Sequence, residues 1–149
     1  MLNVFIRYYV VISFRTLQVG RVGSTTDLIT HQLINVHDYL KDQNLIKLLH
    51  EHATAKRILV FVDRKSTAQD LDRLLEENGF YAASIHGDKS QPERETSLNN
   101  FARGATKILV ATDVASQGLD IDGIDLVVNY GISFLLARYI PHSLFASFL

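Results

Sequence analysis

Residues 58–112 read ILVFVDRKSTAQDLDRLLEENGFYAASIHGDKSQPERETSLNNFARGATKILVAT, and the fold turns on this stretch. It opens on Ile58–Val62, an unbroken apolar run of the kind a strand needs when both its faces are covered. Ser66 and Gln69 have the spacing of a capping box. They predict a helix on which Ala68, Leu71, Leu74 and Leu75 share a face, and Gly79 stands where a helix C-terminal glycine belongs. Tyr81–Ile85 reads as the next strand. Ser90 and Glu93 repeat the capping-box spacing, with Pro92 in the first turn, where its missing N–H costs little. That helix uses Leu98 and Phe101 and stops at Gly104, and Ile108–Ala111 is a further buried strand.

Outward from this core the alternation continues. His31–Val36 reads as a strand, Asn44–Glu51 carries Leu45, Ile46, Leu48 and Leu49 at helical spacing, and Leu126–Asn129 reads as a last strand. Strands alternating with helices across short loops predict an α/β fold, a parallel sheet with helices on both faces. Neither an internal repeat nor a low-complexity linker interrupts it. Ligands of such sheets bind beyond the carboxyl ends of the strands. Those ends hold Asp63-Arg64-Lys65, His86-Gly87-Asp88, Thr112-Asp113 and Asn129-Tyr130. Strand ends are polar in most soluble proteins, so the chemistry of these groups has to decide between a binding edge and a merely solvated one.

The chain is 149 residues long, the size of one domain, with a net charge of −1. No overall basic field advertises a nucleic-acid partner, so such binding would rest on a local patch. The absence of cysteine excludes disulfides, thiolate metal sites and cysteine nucleophiles. Of the six histidines only His50 and His52 stand close together, and at i, i+2 on a helix they point apart. No metal site is expected. The apolar start, MLNVFIRYYVVISF, lacks a basic leader and a small-residue cleavage site, and Arg7 interrupts it, so neither a signal peptide nor an anchor is expected.

Several motifs fail on spacing. Gly20-Arg21-Val22-Gly23-Ser24-Thr25 has no P-loop lysine. In Asp120, Asp122 and Asp125 the glycine comes too early for a calcium loop and no glutamate closes it. The same stretch lacks the preceding buried strand that an aspartate-nucleophile phosphatase needs. Neither a G-x-S-x-G elbow nor an H-E-x-x-H pair is present. No catalytic residue is assigned.

Four segments in one order carry a resemblance. Val19–Ser24 is similar to the linker that enters the second domain of DEAD-box RNA helicases of the Vasa-like and translation-initiation branch. Ile58–Asp63 resembles their motif IV. Ile85-His86-Gly87-Asp88 with Gln91-Pro92-Glu93-Arg94-Glu95 resembles their QxxR segment, and Ile108–Ile121 their motif V. Each segment is weak alone, but together they span about three quarters of the chain. The resemblance implies a RecA-like second helicase domain over residues 31–130, preceded by a linker over 17–30. Apolar flanks at 1–16 and 131–149 match nothing in the family.

It also implies roles. Gly87, Asp88, Gln91, Arg94 and Thr112 would meet RNA phosphates and sugars, a sequence-tolerant mode of binding. The capped helix end beside Gln91 and Arg94 suits an anion, and Arg94 adds a charged fork. Gly118 and Asp120 would face a nucleotide, with Asp120 accepting from a ribose hydroxyl. ATP and magnesium would be held mainly by an N-terminal RecA-like domain, the implied partner, and none is expected on this chain alone. The implied location is cytoplasmic or nuclear, neither secreted nor in a membrane.

The departures are specific. Gln117 stands where the family commonly has arginine, and Arg64 where it often has threonine. After Tyr130 the chain reads Gly131-Ile132-Ser133-Phe134, not the family's route to H-R-x-G-R-x-G-R, and His142 has no arginine after it. Those arginines stabilise charge on the transferring phosphoryl group, so no ATPase activity is expected of the chain alone. The apolar flanks would arise from misjudged gene boundaries or retained intervening sequence, or else form a hydrophobic dimer surface or membrane contact. Two other functional readings stand beside the helicase fragment: an RNA-binding or regulatory module without catalysis, and an unrelated doubly wound nucleotide-binding domain.

Overall fold

The structure, a computed structural model, describes residues 8–13, 30–112, 115, 121 and 123–130. Six strands form one parallel sheet: β1 (Tyr8–Ser13), β2 (Thr30–Asn35), β3 (Ile58–Val62), β4 (Ala82–Ile85), β5 (Ile108–Thr112) and β6 (Leu126–Tyr130). Their order across the sheet is β2-β1-β6-β3-β5-β4. Three helices accompany them: α1 (Lys41–Glu51), entered through a short 3₁₀ turn at Asp38–Leu40, α2 (Lys65–Glu77) and α3 (Gln91–Ala102).

The apolar runs are continuous because both faces of the sheet are covered. Every residue of β3 is fully buried. Ile58, Val60 and Val62 pack with Ile108, Val110, Leu126 and Val128 under Leu45 and Leu48 of α1 and Leu71 and Leu75 of α2. Leu59, Phe61, Leu109, Ala111 and Val127 face the other way, against Phe101 and Leu98 of α3. The period of two along each strand therefore divides one apolar run between two cores. The α/β class, the parallel sheet and the two-sided helix cover are all as the sequence indicates.

The placement of the helices follows from crossover handedness. The steps β2→β3 and β3→β4 run one way along the sheet and carry α1 and α2 on one face. The steps β4→β5 and β5→β6 run back, with α3 and then Ala115, Ile121 and Ile124 on the other. Reversing direction with constant handedness requires the opposite face. Neighbouring strands β3 and β5 thus send their chains to opposite faces, and this is the crevice where ligands of doubly wound sheets bind.

Two local expectations are corrected. Ser66 does not cap α2. The helix starts two residues earlier, with Arg64 as its extended N-cap at φ −137° and ψ 151°, which leaves Ser66 inside the first turn. The side-chain contact there is instead the Thr67 hydroxyl donating to Asp63 Oδ1 at 3.2 Å. The second correction concerns the N-terminal flank, which the sequence reading left without a structural role. Tyr8–Ser13 is a strand paired in parallel with β2 on one side and β6 on the other. Its β-branched and aromatic content, YYVVIS, was the available signal. The capping box at Ser90 and Glu93 is present, and Gly79 and Gly104 follow their helices with φ of +79° and +77°.

Candidate nucleic-acid interface

The site is assembled from the loops after β3 and β4, the end of β5, and the first turns of α2 and α3. β5 lies between β3 and β4, so the β3 and β4 loops face each other across its carboxyl end, which is Thr112. Lys65 and Asp88 close that gap. Lys65 Nζ lies 3.0 Å from Asp88 Oδ1 and 2.8 Å from Oδ2. The hydrogen bond and charge of Lys65 hold the Asp88 carboxyl below its ordinary value, with His86 adding a smaller pull in the same direction. Arg64 is paired with its neighbour, Nε to Asp63 Oδ2 at 3.2 Å.

The start of α3 is already occupied by a carboxylate. Glu93 Oε2 accepts from the Ser90 N–H at 2.7 Å and from the Ser90 hydroxyl at 2.6 Å. These bonds depress its pKa. An anion approaching this helix end would meet the Glu93 charge, so the helix terminus alone is a weaker attractor than its capping spacing indicates. Gln91 is also engaged, its Nε2 donating to Glu95 Oε1 at 3.0 Å. Arg94 differs from both. Its side chain is half-buried, and its guanidinium makes no hydrogen bond or ion pair with any described residue. Lys89, partly buried in the loop before α3, makes no hydrogen bond or close ion pair with a described residue, though its charge acts on Glu93.

Gly87 is exposed, its φ is not in the left-handed region, and a Cβ added there meets nothing within 4 Å. The fold itself does not require glycine at this position. His86, 4% exposed, keeps Nδ1 without a hydrogen-bond partner among the described residues. The structure thus gathers Gly87, Asp88, Gln91 and Arg94 in one run beside Thr112. Gly118 and Asp120 lie outside the described residues, as do the linker-like Val19–Ser24 and the tail 131–149. Sequence reasoning placed Lys65 among the polar strand ends without a role, and did not single out Lys89. Both are ordinary surface lysines until the strand order brings the β3 and β4 loops together.

A second cluster stands further along the same edge. The Tyr130 hydroxyl donates to Asp42 Oδ1 at 2.5 Å, and Lys41 Nζ sits 5.6 Å from the Tyr130 ring centre and 2.8 Å from Asp38 Oδ1. This cluster ties the end of β6 to the start of α1. Burial, reinforced by the Asp42 carboxylate, raises the Tyr130 phenol far above its ordinary value. No helix among the described residues is long and apolar enough to cross a membrane.

Residues 40–142 match the helicase conserved C-terminal domain family. The chain belongs to that family. Solved structures similar to it include DEAD-box RNA helicases and the Pyrococcus furiosus Hef helicase domain. Prp28 from Chaetomium thermophilum, bound to ADP, is 33% identical with a TM-score of 0.60, over 68% of this chain and 25% of that one. The yeast DEAD-box splicing factor Prp28 is 27% identical with a TM-score of 0.62, over 93% and 25%. The C-terminal domain of S. cerevisiae Dbp5, solved with Gle1 and IP6, is 30% identical with a TM-score of 0.53, over 66% and 61%. The region matched is about a quarter of the length of either Prp28 chain. This helicase C-terminal domain is therefore RecA-like. Its β1 and β2 precede the matched region.

Proposed function

We propose that this helicase domain forms the second half of an RNA groove in an ATP-dependent RNA helicase of the DEAD-box type. The observation that carries the reading is Arg94. Arg94 is partly buried, its guanidinium has no partner among the described residues and so is available to an anion, and it stands at the ligand edge of the sheet. Thr112 supplies a hydroxyl at the end of β5. Gly87 leaves room for a backbone to pass, where the fold has no need of glycine. Gln91 completes the run, and Asp88 borders it, paired with Lys65. Contacts of this kind grip phosphates and sugars without reading bases.

Gly118 and Asp120 are assigned to the nucleotide by resemblance, facing ATP and magnesium held mainly by an N-terminal RecA-like partner domain. The linker-like Val19–Ser24 supports the Vasa-like and translation-initiation branch. The second reading, RNA binding without catalysis, is favoured by Gln117 and by the lack of an H-R-x-G-R run after Tyr130.

The test is single-stranded RNA binding by the 149-residue chain, followed by fluorescence anisotropy across a salt series. Arg94→Ala is expected to weaken binding about tenfold and to flatten the salt dependence by about 0.7 in log–log slope, the loss of one phosphate contact. Unchanged affinity and slope would remove the reading.

A further inference from the structure

Resting on that reading, the geometry points to a further binding residue. We propose that Lys65 is a phosphate ligand held in reserve by Asp88, the ion pair forming a strap across the end of β5 that opens when RNA enters. Three observations carry this.

The first is position. Lys65 opens α2 after β3, and Asp88 lies in the loop after β4. These strands are not neighbours, so the pair spans the carboxyl end of β5 and hence Thr112. The crevice beneath the strap is the switch point where the chains of β3 and β5 leave to opposite faces.

The second is cost. Both side chains are more than half exposed, at 59% and 53%, and exposed ion pairs contribute little to stability. A strap of this kind opens readily when a better anion arrives. A phosphate offers Lys65 a charge equal to that of the carboxylate it gives up, and its binding releases counterions from the RNA.

The third is contrast with the neighbouring cations. Arg64 is held by the residue beside it in sequence, a contact that links no separate elements. Arg94 has no partner among the described residues and needs no release. Lys65 alone among these is held across two loops. The contact itself shows the strap closed, with Lys65 Nζ 2.8 Å from Asp88 Oδ2, and the same contact holds the Asp88 carboxyl below its ordinary value.

The proposal gives Asp88 a sign opposite to that of a direct RNA contact. Four forms of the full 149-residue chain are compared by anisotropy with one single-stranded RNA: wild type, Asp88→Asn, Lys65→Gln and the double variant. Asp88→Asn is expected to tighten binding about two- to fivefold, the scale of an exposed ion pair. Lys65→Gln is expected to weaken binding and lower the log–log salt slope by about 0.7. In the double variant the Asp88→Asn gain should vanish, because it acts through Lys65. Weaker binding by Asp88→Asn, or a gain that persists in the Lys65→Gln background, would overturn the strap. With Arg94→Ala as a parallel arm, failure of the strap is separable from failure of the groove. If Arg94→Ala weakens binding while Asp88→Asn does nothing, only the strap falls. If neither substitution changes affinity, both fall.

Discussion

Gly87 and Tyr130 show how much a single residue reports. Of the four described glycines, Gly79, Gly104 and Gly123 have a backbone reason in their positive φ, whereas Gly87 has none. Gly87→Ala is therefore expected to leave stability within about 0.5 kcal/mol, read by a urea melt, while weakening RNA binding. A variant that binds RNA as wild type would show that nothing passes close to this position. At Tyr130 the chemistry concerns stability. Its phenol is buried against Asp42, and its pKa is raised on folding. A group with a raised folded pKa contributes fully below its unfolded value of about 10 and loses that contribution as pH rises above it. The domain should lose stability progressively above about pH 10. Tyr130→Phe should remove most of that Tyr130 component and cost about 1 kcal/mol at neutral pH. An alkaline melting profile shared by variant and wild type would exclude the assignment.

At the scale of elements, α3 is legible from sequence to the residue. Ser90, Pro92 and Glu93 set its start, Gly104 its end, and Phe101 its buried anchor. Ser90→Ala is expected to cost about 1 kcal/mol, measured as a lowered urea midpoint at unchanged slope. Helix α2 was less legible. Ser66 and Gln69 have capping spacing, yet the extended backbone at Arg64 starts the helix earlier, because spacing is a local signal and the exit angle of β3 is not. At the site, sequence spacing put Gln91 and Arg94 together but could not show that Glu93 occupies the helix end or that Gln91 is tied to Glu95. Those pairings depend on side-chain conformations that the spacing leaves open.

For the whole molecule the least expected feature is β1. The strand separates β2 from β6, and β2, at the edge of the sheet, pairs with no other strand. Removing residues 1–13 would detach β2 from the sheet, with α1 losing support beside it. The truncated chain should melt at lower urea concentration and with a smaller slope, since less surface is buried in its folded state. A melt identical to that of the full chain would place β1 outside the cooperative unit.

The sequence by itself determined the order of strands and helices from β2 onward, the two-sided burial of the strands and the family to which the domain belongs. It also marked the residues from Gly87 to Arg94 as a candidate edge. These follow from periodicity, capping and motif order, all of which act over short stretches of chain. Tertiary structure alone decided that Tyr8–Ser13 enters the sheet between β2 and β6. It also decided that Lys65 reaches Asp88 across β5 and that Arg94, among the cations of its loop cluster, is left with its charge unspent on a described neighbour. The reason is physical: strand order and long-range ion pairs depend on which segments meet in space, and local pattern does not encode that meeting.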